Sequence, residues 1–227
     1  MRKCELRELG RLEYGEAFEL QRSLVERRKR GLIPDQLLFV EHPHVITLGR
    51  NGRMEHLLAG EEALRRAGVA FYPTDRGGDI TYHGPGQLVG YPVLDLREWK
   101  RDVVAYVRAI EEVILGALGE FGIAAGRMPG WTGVWVDGRK IAAIGVHISR
   151  WVTSHGFALN IDTDLKYFQY IVPCGLTQPV TSMAELGCAA GRREVAEALA
   201  RHFARVFECE IIPATEEETE KLAWSTS

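Results

Sequence analysis

The chain has 227 residues, 46% of them hydrophobic and 26% charged, which is enough for one sizeable core and places it among ordinary soluble globular proteins. A formal net charge of −3 gives no general attraction to nucleic acid, and no run approaches the ~18 apolar residues of a membrane span. The start, MRKCELRELG, lacks an apolar signal-peptide core, and Cys4, Cys174, Cys188 and Cys209 form no CxxC pair. A cytoplasmic protein with free thiols is the expectation. His42 and His44 flank Pro43 with no Cys or acidic pair beside them, so no metal is expected.

In chain order, Glu13 to Arg30 reads as a helix, with Tyr14, Ala17, Leu20, Leu24 and Val25 at helical spacing and Gly31 as its stop. QLLFVEH and HVITLG read as two short strands parted by a turn at Pro43. A second helix is expected from about His56 to Ala67, ending at Gly68. A third starts at the N-cap Asp102 and carries Val103, Val107, Ile110, Ile114, Ala117 and Phe121 as its stripe before Gly122. GVWV and KIAAIGVHIS flank Asp137-Gly138, a hairpin signal, and HGFALNI follows as a strand. A last helix, Arg193 to Phe207, presents Val195, Leu199, Phe203 and Val206. Residues 214–227 read as a flexible acidic tail. Strands and helices mix without βαβ alternation and without repeats, which predicts one α+β domain over residues 1–227, a mixed sheet with packed helices.

Three segments depart from core-and-surface composition. RGGDITYHGPGQLVGYP, Arg76 to Pro92, holds five glycines, which allow close backbone approach to a ligand; a glycine-rich turn between strands explains the composition equally well. It fits neither GxGxxG nor GxxxxGK[ST]. In the strand from Lys140, period-two alternation puts Lys140 on a face with Ala142, Ile144, Val146 and Ile148, either snorkelling or partly buried with a lowered pKa. Ala143 and Gly145 leave bare backbone on the opposite face. In IVPCGLTQPVTSM, Cys174 stands between Pro173 and Gly175, a setting that can present a thiol at a sharp bend, whereas Cys4, Cys188 and Cys209 read as packing groups.

Together these strings resemble the lipoyl(octanoyl) transferase family. RGGDITYHGPGQLVGYP is similar to its acyl-binding loop, GRKIAAIGVHIS to its lysine strand, and SHGFALNI and PCGL follow in order, with EHPHVITLGR upstream; Asp79 within the loop is a mild departure. The resemblance implies the fold of biotin and lipoate protein ligases and an acyltransferase with no cofactor. Its catalytic pair is a cysteine nucleophile, Cys174, and a lysine, Lys140, that lowers the thiol pKa or moves its proton. The acyl contacts it implies are Arg76, Gly77, Gly78, Asp79, Ile80, Thr81, Tyr82 and His83, then Ala143, Ile144 and Gly145, and Gly156, Phe157 and Ala158. The implied donor is octanoyl-acyl carrier protein. The implied acceptors are lipoyl domains of 2-oxoacid dehydrogenase complexes and the glycine cleavage H protein, without nucleic acid or membrane partners. Two rival chemistries are an ATP-dependent ligase on the same fold, which needs no cysteine, and a Cys-His thioesterase using His83 or His155. A non-enzymatic acyl-binding module is the third alternative.

Overall fold

In the computed structural model, which describes residues 1–172 and 179–214, the elements run β1 (Arg2–Arg11), α1 (Tyr14–Lys29), β2 (Asp35–Glu41), β3 (Val45–Leu48), α2 (Glu61–Arg66), β4 (Ala70–Pro73), β5 (Ile80–His83) and β6 (Gln87–Val93). They continue as α3 (Val103–Glu120), β7 (Gly126–Met128), β8 (Trp131–Val136), β9 (Arg139–Ser149), β10 (Val152–Asn160), α4 (Arg192–Phe207) and β11 (Cys209–Pro213). A mixed sheet has the order β11-β1-β2-β6-β10-β9-β8-β7, and a smaller one the order β4-β3-β5. Among the described strands of the large sheet only the β1 pairings with β11 and β2 are parallel, the second closed by the crossover helix α1. This is the α+β arrangement expected of the sequence.

Alternation along the strands feeds two cores. Phe39, Leu88, Phe157 and Leu159 face α3 and α4, whereas Leu38, Val40, Val89, Tyr91 and Ala158 face α1. A third cluster, with Ile46, Leu64, Ile80 and Tyr82, seals the small sheet. α3 starts where Asp102 accepts from Ala105 N–H at 3.0 Å, but Val103 is exposed and the buried stripe begins a turn later, at Tyr106. Asp137 and Gly138 both have positive φ, 49° and 74°, as the tightest hairpin turn requires.

Two expectations change. The helix expected from His56 to Ala67 is a 3₁₀ turn, Met54–His56, and a separate α2, because Gly60 takes an extended conformation and becomes the N-cap of α2. Strands β1 and β11 join the sheet from segments whose charges hide their alternation. Arg7 is buried yet bonded to Gln36 Oε1 at 2.8 Å and Glu5 Oε2 at 2.7 Å, and Ala214 N–H reaches Leu6 O at 3.0 Å. The first residue of the expected tail is thus tied to β1; residues 215–227 lie outside the described ones.

Candidate active site

The glycine segment is the joint between the two sheets. Gly77 N–H donates to Val146 O on β9 at 2.9 Å, and Gly49, Arg50 and Asn51 N–H donate to the carbonyls of Asp79, Arg76 and Gly78. Arg76, nearly buried, gives Nη2 to Thr47 O at 2.7 Å and to Thr47 Oγ1 at 2.9 Å. Asp75 Oδ1 accepts from His155 Nε2 on β10 at 2.7 Å. Asp79 binds away from the loop: its carboxylate takes Arg53 N–H at 3.2 Å and His56 Nδ1 at 2.5 Å, so it anchors the Met54–His56 turn.

Glycine matters at two of these places. A Cβ at Gly145 would meet Gly77 O at 2.8 Å, and Gly78 has φ +86°, a conformation that strains any other residue. On the neighbouring ladder Gly145 faces Gly156 and Ala143 faces Ala158, a floor of four small residues. Above this floor the loop encloses a cavity of about 390 Å³, within the size range of small-molecule sites.

The cavity is lined by Arg76, Gly77, Gly78, Asp79, Ile80, Thr81 and His83 from the loop and β5, and by Lys140. Ala143, Ile144 and Gly145 of β9 and Gly156, Phe157 and Ala158 of β10 complete the expected set there. Tyr82 does not line it, a correction: its ring is buried in the small-sheet cluster, where it stacks on Tyr167 and bonds His44 Nδ1 at 2.8 Å. Cys174 falls outside the described residues. Sequence reasoning missed Tyr14, Gln87, Tyr91, Asn160 and Val180, which also line the cavity. Gln87 and Asn160 were visible as polar residues inside otherwise apolar strand runs.

Lys140 needs a second correction. Between Val134↔Ala142 and Trp135↔Lys140 the β8–β9 register slips, leaving Ile141 as the extra residue of a bulge. Lys140 therefore lies on the face opposite to Ala142, with Nζ 4.7 Å from the centre of the Trp135 ring. Its backbone is gripped on the other edge: Lys140 N–H donates to Pro179 O and Thr181 N–H to Lys140 O, both at 2.9 Å. The chain leaving the cysteine-bearing segment is thus hydrogen-bonded to the lysine strand.

The histidines around the cavity are held neutral. Burial, with the nearby His42 and Arg76, pushes His83 down to about 3, while Nδ1 donates to Gln87 Oε1 at 2.8 Å. Burial lowers His155 too, opposed by Asp75, whose own carboxyl is held down chiefly by its bond to His155. His155 has φ +55°, and its N–H is fixed by Gln21 Oε1 at 2.7 Å. His42 is pushed by burial to about 4; its ring bonds Leu12 O and the Tyr91 hydroxyl.

Comparison with known proteins assigns this arrangement to a family. The model of the lipoyl protein ligase A/B catalytic domain matches residues 13–204. The octanoyltransferase of Solibacter usitatus is 68% identical over 94% of this chain and 97% of its own length, and that of Koribacter versatilis 52% over 90% and 84%. Among solved structures, lipoate-protein ligase A bound with ATP matches with a TM-score of 0.78 at 19% identity, covering 98% of this chain and 93% of that one. Biotin protein ligase from Aquifex aeolicus in complex with biotin and ATP matches at 0.56 and 14%, covering 90% and 70%. These two likenesses concern the fold. On the family match and the identity to its curated relatives, the chain belongs to the octanoyltransferases of the lipoyl protein ligase A/B catalytic-domain family and is an acyltransferase.

Proposed function

We propose that the chain carries an octanoyl group from octanoyl-acyl carrier protein, through a thioester on Cys174, to the lysine of a lipoyl domain. The observation that carries this reading is the bonding of Lys140 on the cavity to residues 179–181, the chain that follows the segment bearing Cys174. In the first step the Cys174 thiolate attacks the donor carbonyl, the carrier's thiol leaves, and the proton removed from Cys174 goes to that thiol. In the second the acceptor amine attacks the enzyme thioester, an amide forms, and the amine's proton returns to Cys174. Lys140 is the group that handles both protons. The first exchange is thioester for thioester, so it needs no ATP; the second runs downhill to an amide.

The acyl chain lies over Ala143, Gly145, Gly156 and Ala158, under the loop from Arg76 to His83. Burying about seven methylenes at ~0.8 kcal/mol each contributes roughly 5 kcal/mol, which favours octanoyl over acetyl. The thioesterase alternative fares worse. Burial pushes His83 down to about 3, too weak a base for a thiol, and His155 faces Val146, six residues and so about 20 Å along β9 from Lys140.

The acceptors in this reading are lipoyl domains of 2-oxoacid dehydrogenase complexes and the glycine cleavage H protein. The place of action is the cytoplasm, in keeping with free thiols at Cys4, Cys188 and Cys209. Among the described residues no helix is long and apolar enough to cross a membrane. Intact-protein mass spectrometry after incubation with octanoyl-acyl carrier protein tests the mechanism. An octanoyl mass increment mapping to Cys174 and absent from Cys174→Ala is expected; undiminished transfer by Cys174→Ala overturns it.

A further inference from the structure

A chain of buried amides starts at the cavity wall and ends on the backbone of Lys140, and nothing in the transfer chemistry above uses it. His83 Nδ1–H donates to Gln87 Oε1 at 2.8 Å, Gln87 Nε2 donates to Asn160 Oδ1 at 2.9 Å, and Asn160 Nδ2 donates to Thr181 O at 3.0 Å. Thr181 N–H then donates to Lys140 O at 2.9 Å. Gln87, Asn160 and Thr181 are each at most 4% exposed, so water does not substitute for these partners. The polarity is unique. Gln87 Nε2 also donates to Tyr82 O, and reversing the Asn160 amide would set donor against donor and oxygen against oxygen.

The place of Asn160 explains why Lys140 needs this support. β10 pairs with β9 up to Leu159↔Ala142 and ends at Asn160, one step short of Lys140. On the other edge the bulge at Ile141 interrupts the ladder to β8. Residues 179–181 fill the gap left by β10. Asn160 fastens that segment to the end of β10 twice, by its side chain to Thr181 O and by its carbonyl to Met183 N–H at 3.0 Å.

We propose that Asn160 is a positioning residue for acyl transfer: through Thr181 it fixes the Lys140 backbone and hence the placement of the Lys140 amine in the cavity. The proposal rests on the reading of Lys140 as the proton-handling group. Two variants separate it from mere structure and from mere charge. Asn160→Leu removes the chain without adding charge. Asn160→Asp keeps the shape, cannot donate to Thr181 O while ionised, and regains a donor when protonated.

Transfer kinetics are measured from about pH 5.5 to about pH 8.5 for both variants, with kcat and KM for the donor resolved separately. In substrate-free protein, the acetylation rate of Lys140 by trace acetic anhydride is read against the other lysines. Loss of a buried bond with its partner left unsatisfied gives a kcat loss of about 10- to 100-fold near pH 8 for both variants, with KM within about threefold. Relative Lys140 acetylation changes in both. On acidification the Asn160→Asp to wild-type ratio of kcat rises and the Asn160→Leu ratio stays flat.

Wild-type kcat and Lys140 labelling in a folded Asn160→Leu overturn the proposal, as does a loss that leaves labelling unchanged and shows no acid recovery in Asn160→Asp. If either variant fails to give a wild-type circular dichroism spectrum, Gln87→Glu repeats the test. It keeps the acceptor for His83 and withdraws the donor to Asn160, so a smaller change of the same sign is expected and no change refutes the idea. Wild-type activity in Lys140→Ala would sink the reading of Lys140 instead, and the substrate-free labelling would still report on the amide chain.

Discussion

Replacing Gly145 by alanine tests whether the loop is a wall held in place or a flap that yields. The added Cβ would stand 2.8 Å from Gly77 O and 3.3 Å from the Arg76 Cδ. Ordinary contact begins at 3.4 Å, so the Gly77 carbonyl would have to retreat by about 0.6 Å. It cannot retreat alone, because Gly77 N–H is tied to Val146 O, Arg76 O receives Arg50 N–H, and the Arg76 guanidinium is tied to Thr47. Overpacking of this kind costs about 1–3 kcal/mol, and loss of the Gly77–Val146 bond adds about 1 kcal/mol. Relief of glycine's entropy in a strand offsets roughly 0.5–1 kcal/mol. The net is a destabilisation of about 1–3.5 kcal/mol, or ~2–7 °C in Tm at roughly 2 °C per kcal/mol for a chain of this size. The displaced loop lines the cavity, so kcat/KM with the octanoyl donor should fall about tenfold, equivalent to ~1.4 kcal/mol. Gly126→Ala is the control, since nothing lies within 4 Å of a Cβ there. Equal melts and equal kcat/KM for the two variants would refute the account of the loop.

At Lys140, arginine keeps the charge but cannot release a proton near neutral pH, so Lys140→Arg should be nearly as slow as Lys140→Ala in delivery to the acceptor. Quenched mass spectrometry with and without the lipoyl domain separates the two half-reactions, and full recovery of delivery in the arginine variant contradicts proton transfer by the amine. Stability should fall on acidification. His83 at about 3 and His42 at about 4 stay neutral in the fold, whereas the unfolded chain takes up these protons below 6.5. The stabilisation present above pH 6.5 is therefore lost as pH drops, by about 3 kcal/mol for both together between pH 6.5 and pH 5. Urea midpoints across that window check it, and an unchanged slope in His83→Gln would contradict the assignment. Cys4→Ala and Cys209→Ala remove buried sulfurs from the α3–α4 core, so they should keep transfer rates while losing about 1 kcal/mol in denaturant titrations.

Much of this was legible because local and tertiary signals agree. Asp102 caps its helix, Asp137-Gly138 turns its hairpin, and the small residues of β9 and β10 meet in register. Lys140 could be placed on the cavity strand but not on its correct face, because a bulge inverts alternation and nothing in KIAA marks one. Tyr82 differs for another reason: the family resemblance covers the whole run Arg76 to His83, whereas the Tyr82 ring packs with Tyr167, a partner distant in sequence. Strand β11 at the sheet edge and its neighbour β1 are not legible locally, because Arg7 and its neighbours are buried through pairing across strands, which no local window contains.

A hydrocarbon chain offers a protein no polar group to bind, so its wall must be apolar or made of backbone whose polar groups are already occupied. The carbonyls of the stretch from Arg76 to Asp79 are of the second kind. Those at Arg76, Gly78 and Asp79 receive the N–H groups of 49–51, and Gly77 O receives Arg76 Nη1. Gly77 N–H is taken by Val146 O. Carbonyls occupied in this way hold less water, and a thioester beside them meets less water that can hydrolyse it. On the proposed reading that is the difference between a transferase and a thioesterase. Both would attack the same acyl carbonyl, and the outcome depends on whether the acceptor amine or water reaches the intermediate first. Opening the wall should therefore raise octanoate release relative to amide formation. In Gly145→Ala the ratio of free octanoate to octanoylated lipoyl domain, read by mass spectrometry, should increase several-fold, about the effect of ~1 kcal/mol. If total turnover drops and that ratio stays at the wild-type value, the loop shapes the site without excluding water.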